Sequence, residues 1–455
     1  MEDAVMTKIT AQNVHETLGK YMLADGFDLV FDLERSKGSY FYDLRTGRRF
    51  LDFFSFFATA AVGFNHPKLT SPAMIERLGK LAVNNITNSD LYTVEMAEFV
   101  DTFFRVAVPP YLIHSFFIAG GALGVENALK AAMDWKVRKN FAKGYRREVG
   151  HQVIHFQECF HGRTGYTLCM TNTADPNKHK YFAKFDWPRV VNPKITFPLT
   201  EGRLEEVEKL ERLAVAQIKT AFLENHDDVC AIIIEPIQGE GGDNHFRGEF
   251  LRELRTLASE NDAMLVLDEI QTGIGVTGKM WAHQHFNFEP DMIAFGKKTQ
   301  VCGFLCGPRI DEIEDNVFHV GSRLNSTWGG NLIDMFRFKL YLEIIEEERL
   351  VENAARVGEV LLAGLKKLGD EFAGLVSGAR GRGLMCAFDL PTTQVRDQLR
   401  AELYHRGIVL LGSGLRAVRF RPPLNMSEQE VAEGLGIFRE ALKSLSGRPM
   451  AQPVA

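Results

Sequence analysis

Ala263-Met264-Leu265-Val266-Leu267-Asp268-Glu269, followed after a glycine-rich stretch by Met292-Ile293-Ala294-Phe295-Gly296-Lys297-Lys298, is where the fold of this chain is read. The first run is apolar without alternation, which suits a strand buried on both faces, and it ends on an acidic pair. A carboxylate at the carboxyl end of a buried strand stands where α/β folds place their ligands. Gln271-Thr272-Gly273-Ile274-Gly275 and Gly278 are too rich in glycine for a helix interior and read as a loop passing close to something bound. The second apolar run leads into Lys297. Asp268 and Lys297 are therefore expected to end two strands of one sheet at the same edge.

That pairing suits a Schiff-base site. A lysine that attacks a carbonyl must spend time as a neutral amine, which burial or a neighbouring cation arranges. Asp268 would keep a pyridine nitrogen protonated, as pyridoxal phosphate requires of its partner. The plainer alternative is a solvated Lys-Lys pair and an aspartate that caps a turn, and neither residue alone separates the two readings.

Leu267-Asp268-Glu269-Ile270-Gln271-Thr272-Gly273 together with Pro290-Asp291-Met292-Ile293-Ala294-Phe295-Gly296-Lys297 resembles the signature of the class III, or ω-, aminotransferases among the fold type I pyridoxal-phosphate enzymes. The resemblance implies an α/β fold, with a large domain built on a mostly parallel seven-stranded sheet and a smaller α+β domain. It implies pyridoxal 5′-phosphate as cofactor, carried by Lys297 rather than Lys298. The family's usual Lys-Gly-Leu-Gly-Gly-Gly is here Lys-Lys-Thr-Gln-Val-Cys-Gly, a departure that narrows the subfamily.

The bulk composition is that of an ordinary soluble globular protein. Charged residues are 25% and hydrophobic ones 45% of 455 residues, the ordinary globular balance. A net charge of −6 with both signs interspersed implies no nucleic-acid partner. No apolar run reaches the roughly 18 residues of a membrane span, and Met1 to Thr10 lacks the features of a secretion signal, so a cytoplasmic location is expected. Six cysteines are too few for a disulfide framework, and Cys302 and Cys306 have no partners to complete a metal site, so buried free thiols and no metal are expected. Among 34 phenylalanines, the crowd at Phe41, Phe50, Phe53, Phe54, Phe56 and Phe57 should be core or subunit interface.

Along the chain, residues 11 to 21 have helical spacing and 39 to 52 read as a hairpin around Thr46-Gly47. Ser115-Phe116-Phe117-Ile118, then Ala119-Gly120-Gly121-Ala122, then a helical run from Val125 to Val137 is the strand, glycine, helix order that aims backbone N–H groups at a phosphate; it also makes ordinary turns. Set beside the family, Gly121 and Ala122 fall on the phosphate cup. Val153 to Phe156 is a strand leading to Phe160-His161-Gly162-Arg163. There Phe160 and His161 could equally be a core aromatic and a structural hydrogen-bonder. The resemblance puts Phe160 on the pyridine ring and Arg163 on the substrate carboxylate far from the reacting amine. Leu204 to Ala221 is a solvated amphipathic helix. Ala231 to Ile234 is a buried strand ending at Glu235, and Glu240 follows among Gly239, Gly241 and Gly242, where it is either an exposed loop acid or a carboxylate that those glycines free to swing.

By resemblance, Gln271 bonds the ring hydroxyl, Asn325 binds substrate, and Thr327 in Ser326-Thr327-Trp328-Gly329-Gly330-Asn331 reaches the cofactor phosphate of a second subunit, implying a homodimer with shared active sites. Arg419 in Val418-Arg419-Phe420-Arg421-Pro422 matches the family's carboxylate-binding arginine. Helices are expected at 332 to 348, 350 to 369, 393 to 406 and 427 to 445, with a strand at 385 to 390 and a frayed tail from Ser446. The domain division is 1–65 for an arm and part of the small domain, 66–331 for the large domain and 332–455 for the rest of the small domain.

The stretches 296 to 303, 323 to 328 and 240 to 247 are similar to the branch of the family that passes lysine's terminal amine to 2-oxoglutarate. L-Lysine, 2-oxoglutarate and L-glutamate are then the expected partners, with Glu240 expected to pair with Arg419 while lysine reacts. The alternatives are a relative acting on ornithine or 4-aminobutyrate, and a non-catalytic protein that binds pyridoxal phosphate.

Overall fold

The computed structural model describes residues 8–446. The expected frayed tail beyond Ser446 lies outside the described residues, as does the start of the Met1–Thr10 segment. Seven strands form the central sheet: β1 His114–Ile118, β2 Gln152–Phe156, β3 Arg189–Val190, β4 Val229–Ile234, β5 Met264–Asp268, β6 Met292–Phe295 and β7 Cys302–Cys306. Their spatial order is β1-β7-β6-β5-β4-β2-β3. β7 runs antiparallel to both of its neighbours and every other pair is parallel.

Every residue of β4, β5, β6 and β7 is buried, as uniformly apolar runs require. Ala231, Ile233, Met264, Val266, Met292 and Ala294 face the helix Gly121–Ala142 on one side. Ile232, Ile234, Leu265 and Leu267 point the other way, against the helices Glu201–Glu224 and Gly248–Glu260. The first of these helices is solvated on one side only, since Val207, Ala214, Ile218 and Ala221 form its buried stripe. A one-residue register slip would exchange the two packed faces, so the pairing of Ala294 with Asp268 and of Ile234 with Leu267 is firmly specified. Asp268, Glu235 and Lys297 thereby share the carboxyl edge of the sheet.

A second, antiparallel sheet has the order Ser377–Arg382, Met385–Asp389, Ala417–Phe420, Leu411–Ser413, with the helices Leu350–Glu371, Thr393–His405 and Glu428–Ser446 around it. The outer strands Ser377–Arg382 and Leu411–Ser413 were not foreseen, because glycine and arginine hide them from a hydrophobic pattern. The expected hairpin pairs Tyr40–Tyr42 with Arg49–Asp52, and the latter also takes Ile408–Val409 as a parallel partner, so the two ends of the chain build one three-stranded sheet. All six cysteines are free and buried.

The phenylalanine crowd divides. Phe41, Phe50 and Phe53 are core, whereas Phe56 and Phe57 are exposed. The cause is a left-handed turn, with φ of 44, 51, 60 and 68° at Ser55, Phe56, Phe57 and Ala58. Each such non-glycine residue costs roughly 1–2 kcal/mol, offset here by buried Asp52, whose Oδ1 accepts the N–H groups of Phe54 and Ser55.

Candidate active site

The loops that leave the carboxyl edge of the sheet meet the small antiparallel sheet in a cleft of about 720 Å³. Phe160, Arg163, Glu240, Gln271, Lys297 and Arg419 line it. Asp268 is buried at the end of β5, and Gly121 and Ala122 open the helix Gly121–Ala142 after β1. Asn325 and Thr327 do not line this cleft and are exposed.

Lys297 follows β6 with φ of 57°, a left-handed backbone that an L side chain adopts only when its surroundings fix it. Burial, then the cations Arg419 and Arg421, lower its pKa to about 8. Lys298 is not part of a solvated pair. It is buried, its Nζ donates to the Gln271 carbonyl at 2.9 Å, and burial followed by the charge of Lys297 holds its pKa well below the usual lysine range.

Asp268 Oδ2 lies 2.8 Å from His161 Nδ1, and Oδ1 accepts the Ile270 N–H at 3.1 Å. Burial disfavours a charged His161, but Cys159 and Asp268 outweigh it and raise its pKa well above the ordinary value. His161 is therefore a structural hydrogen-bonder, as one of its two readings had it, and the group it holds is the Asp268 carboxylate. Glu235, pushed up to about 7 by burial, accepts the N–H groups of Phe160 at 2.9 Å and Gly239 at 3.0 Å, and so sets both loops at the cleft wall.

Gln271 is held twice. Lys298 takes its backbone carbonyl, and Arg421 Nε and Nη2 donate to its Oε1, each at 3.1 Å. A guanidinium only donates, so the side-chain oxygen is spent and the NH₂ group is left free to donate. Arg421 is itself buried and ion-paired with buried Asp243. Sequence reading missed this pair. The spacing of Arg419 and Arg421, two apart at the end of a strand and so on one face, was the available signal for the arginine, but nothing local pointed to Asp243.

Arg419 is 5% exposed, and Glu240 Oε2 lies 2.8 Å from its Nη1. The contact is ionic rather than a well-aligned hydrogen bond, since Arg419 Nε and Nη1 have no hydrogen-bond acceptor. Glu240 is not an exposed loop acid. Burial opposes its ionisation, and Arg419 with Lys178 more than offsets that and lowers its pKa.

The flanking glycines do not provide a flexible hinge. A Cβ at Gly239 would collide with the Gln271 amide and one at Gly241 with the Glu158 carbonyl. The loop backbone is also tied down: Gly414 N–H donates to Glu240 O at 2.9 Å, and Arg380 to Gly242 O at 2.6 Å and to Asp243 O at 2.9 Å. Any movement of Glu240 is thus a side-chain rotation over a fixed loop.

These residues fit pyridoxal phosphate. The helix at Gly121 begins after Gly120, whose φ is 104°, with no side chain capping its first N–H groups, which suits a phosphate. A carboxylate pinned by His161 suits a protonated ring nitrogen, and a lysine of lowered pKa suits a carbonyl. Among the described residues, one group of possible metal ligands, His114, Asp311 and His319, lies at the other end of β1, where the Asp311 carboxylate already engages His114 and Asn316.

The family model described as aminotransferase class-III matches residues 22–442. The chain is 51% identical to L-lysine-epsilon aminotransferase of Mycobacterium bovis, over 95% of this chain and 96% of that protein. It is 30% identical to mitochondrial 4-aminobutyrate aminotransferase of Homo sapiens, over 95% and 88% respectively. The solved structure of lysine aminotransferase from M. tuberculosis in the internal aldimine form superposes with a TM-score of 0.94 at 50% identity, covering 96% of this chain and all of that one.

Proposed function

The chain belongs to the class III aminotransferases, and from that membership we propose that it passes the ε-amino group of L-lysine to 2-oxoglutarate. The products are L-glutamate and 2-aminoadipate 6-semialdehyde, which cyclises to a piperideine carboxylate. The choice of lysine over 4-aminobutyrate is supported by the 51% against 30% identity. The observation that carries the reading is the buried guanidinium of Arg419, ion-paired with Glu240 in a cleft that Arg163 also lines. Such a site neutralises its own carboxylate receptor when the substrate enters by its far amine.

Bound pyridoxal 5′-phosphate supplies an electrophilic carbonyl carbon and a ring that delocalises the electron pair of a breaking C–H bond. Lys297 Nζ would carry the cofactor, and as a free amine of lowered pKa it would hold and move the proton of the substrate's amino-bearing carbon. Asp268 holds the ring nitrogen protonated with a charge that His161 fixes in place. Gln271 would donate its NH₂ to the ring hydroxyl, Phe160 would cover the ring, and the N–H groups at Gly121 and Ala122 would take the phosphate. Arg163 binds the distal carboxylate of either substrate. Arg419 binds glutamate's α-carboxylate, and Glu240 pairs with Arg419 while lysine reacts.

Asn325 and Thr327 we assign to the cleft of a second copy of the chain, in a homodimer. Exposed Leu91, Tyr92 and Trp328 support this, because the Asn88 N–H bonds the Trp328 carbonyl and so places them around Thr327. We place the enzyme in the cytoplasm, in keeping with six free thiols.

A donor panel with 2-oxoglutarate tests the substrate. L-Lysine should exceed ornithine and 4-aminobutyrate by roughly tenfold or more in kcat/KM, because with the reacting amine fixed at Lys297 their shorter chains draw the carboxylate back from Arg163. A preference for 4-aminobutyrate would overturn the lysine assignment. No turnover with any donor, with cofactor bound, would favour the non-catalytic reading.

A further inference from the structure

Glu240 touches two cations, one with each carboxylate oxygen. Its Oε1 accepts a hydrogen bond from Lys178 Nζ, while its Oε2 makes only the off-line ionic contact at 2.8 Å with Arg419 Nη1. Lys178 ends the short 3-10 turn Pro176–Lys178, which Asp175 caps through the Asn177 N–H at 3.0 Å, and it lines the same cleft. Exposure is 19% for Lys178 and 18% for Glu240, so water screens neither fully.

Consider Glu240 with Arg419 as its only partner. Each time the arginine took up a substrate α-carboxylate, a half-buried carboxylate would be left without a counter-charge beside an incoming anion, a costly state. The loop backbone is fixed, so the side chain must find its second partner within the reach of a rotation. Lys178 is already there.

We propose that Lys178 is the resting partner of Glu240, a positioning residue that retains the carboxylate when Arg419 is given over to the α-carboxylate of glutamate or 2-oxoglutarate. The inference rests on the assignment of Glu240 and Arg419 above. It makes the exchange one between two cations, so that Glu240 keeps a counter-charge in both half-reactions. Asp175, 3.8 Å from the same amine, steadies Lys178 when Glu240 is turned toward Arg419.

The sign of the effect separates this role from a merely structural one. Without Lys178, Glu240 clings to Arg419, so the glutamate half-reaction should suffer while that of lysine is kept. Were Lys178 only a prop that aims Glu240 at Arg419, its loss would instead harm lysine. Single half-reactions of the cofactor-loaded enzyme, followed by cofactor absorbance, give kcat/KM for L-lysine and L-glutamate separately in parent, Lys178→Met, Lys178→Arg, Glu240→Ala and the double variant Lys178→Met/Glu240→Ala.

Lys178→Met should lower the glutamate value roughly tenfold with lysine little changed, through KM more than kcat, and Lys178→Arg should restore it. Glu240→Ala should move the ratio the opposite way, and in its background Lys178→Met should add nothing. An unchanged ratio in Lys178→Met, a fall for lysine, or an effect that persists without Glu240 overturns the proposal. A Glu240→Ala ratio equal to the parent's overturns the underlying assignment of Glu240 instead.

Discussion

Lys297 shows how far a single residue is made by its surroundings. A lysine with pKa about 8 has a neutral fraction near one half at pH 8, where an ordinary lysine is almost wholly charged. Since the neutral amine is the nucleophile, reactivity rises with pH up to the lowered pKa and levels above it. Reductive methylation of the cofactor-free chain with formaldehyde and cyanoborohydride, mapped by peptide mass, should show Lys297 labelling that bends near pH 8 while exposed lysines still climb to pH 10. A bend at the ordinary lysine pKa would remove the electrostatic account. Lys298 should resist the reagent throughout, because it is buried against the Gln271 carbonyl; label there in place of Lys297 would reverse the assignment of the two lysines.

Among the elements, the helix Gly121–Ala142 is the one whose placement matters most to the site. Its start is pressed onto β7, where a Cβ at Gly124 would stand 2.8 Å from the Gly303 carbonyl oxygen, a backbone atom that cannot yield cheaply. Gly124→Ala should therefore lift the helix start off the sheet. Overpacking of this kind costs about 1–3 kcal/mol, despite the better helix propensity of alanine. Calorimetry of the cofactor-free chain should show a lower Tm, and cofactor titration a higher Kd. Gly436, in the helix Glu428–Ser446 with open space around it, is the control. There alanine should raise the Tm through propensity alone and leave cofactor binding untouched. A Tm for Gly124→Ala at or above the parent's would show that β7 accommodates the methyl group.

At the scale of the whole molecule, the cleft described by one chain leaves Asn325 and Thr327 outside it, on the surface. If Thr327 serves a second copy, hybrids of a Lys297→Ala subunit with a Thr327→Ala subunit contain one intact site: Lys297 from the second and Thr327 from the first. Mixing the two purified variants under conditions of subunit exchange should restore tight cofactor binding and turnover to that site. Mixtures no better than the separate variants, after exchange is verified by mass, would mean that Thr327 acts within its own chain or not at all.

Much of this protein was determined by order along the chain. The uniformly apolar runs at 229–234, 264–267 and 292–295 can be satisfied only by burial on both faces, and the acid and the lysine that follow them must then emerge at one edge. Lys297, Asp268, Glu240 and Arg419 were legible for that reason, together with their motifs. Tertiary structure alone decided which partners stand around them. His161 meets Asp268 across 107 positions, Asp243 meets Arg421 across 178, and Lys178 meets Glu240 across 62. Tertiary structure also made the Glu240 loop rigid where its glycines suggested freedom, because Gly239 and Gly241 yield to Gln271 and Glu158 from elsewhere in the chain. Local pattern reports which groups seek burial or a turn, while the partner of a charge is fixed by packing between distant segments, and no local pattern encodes it.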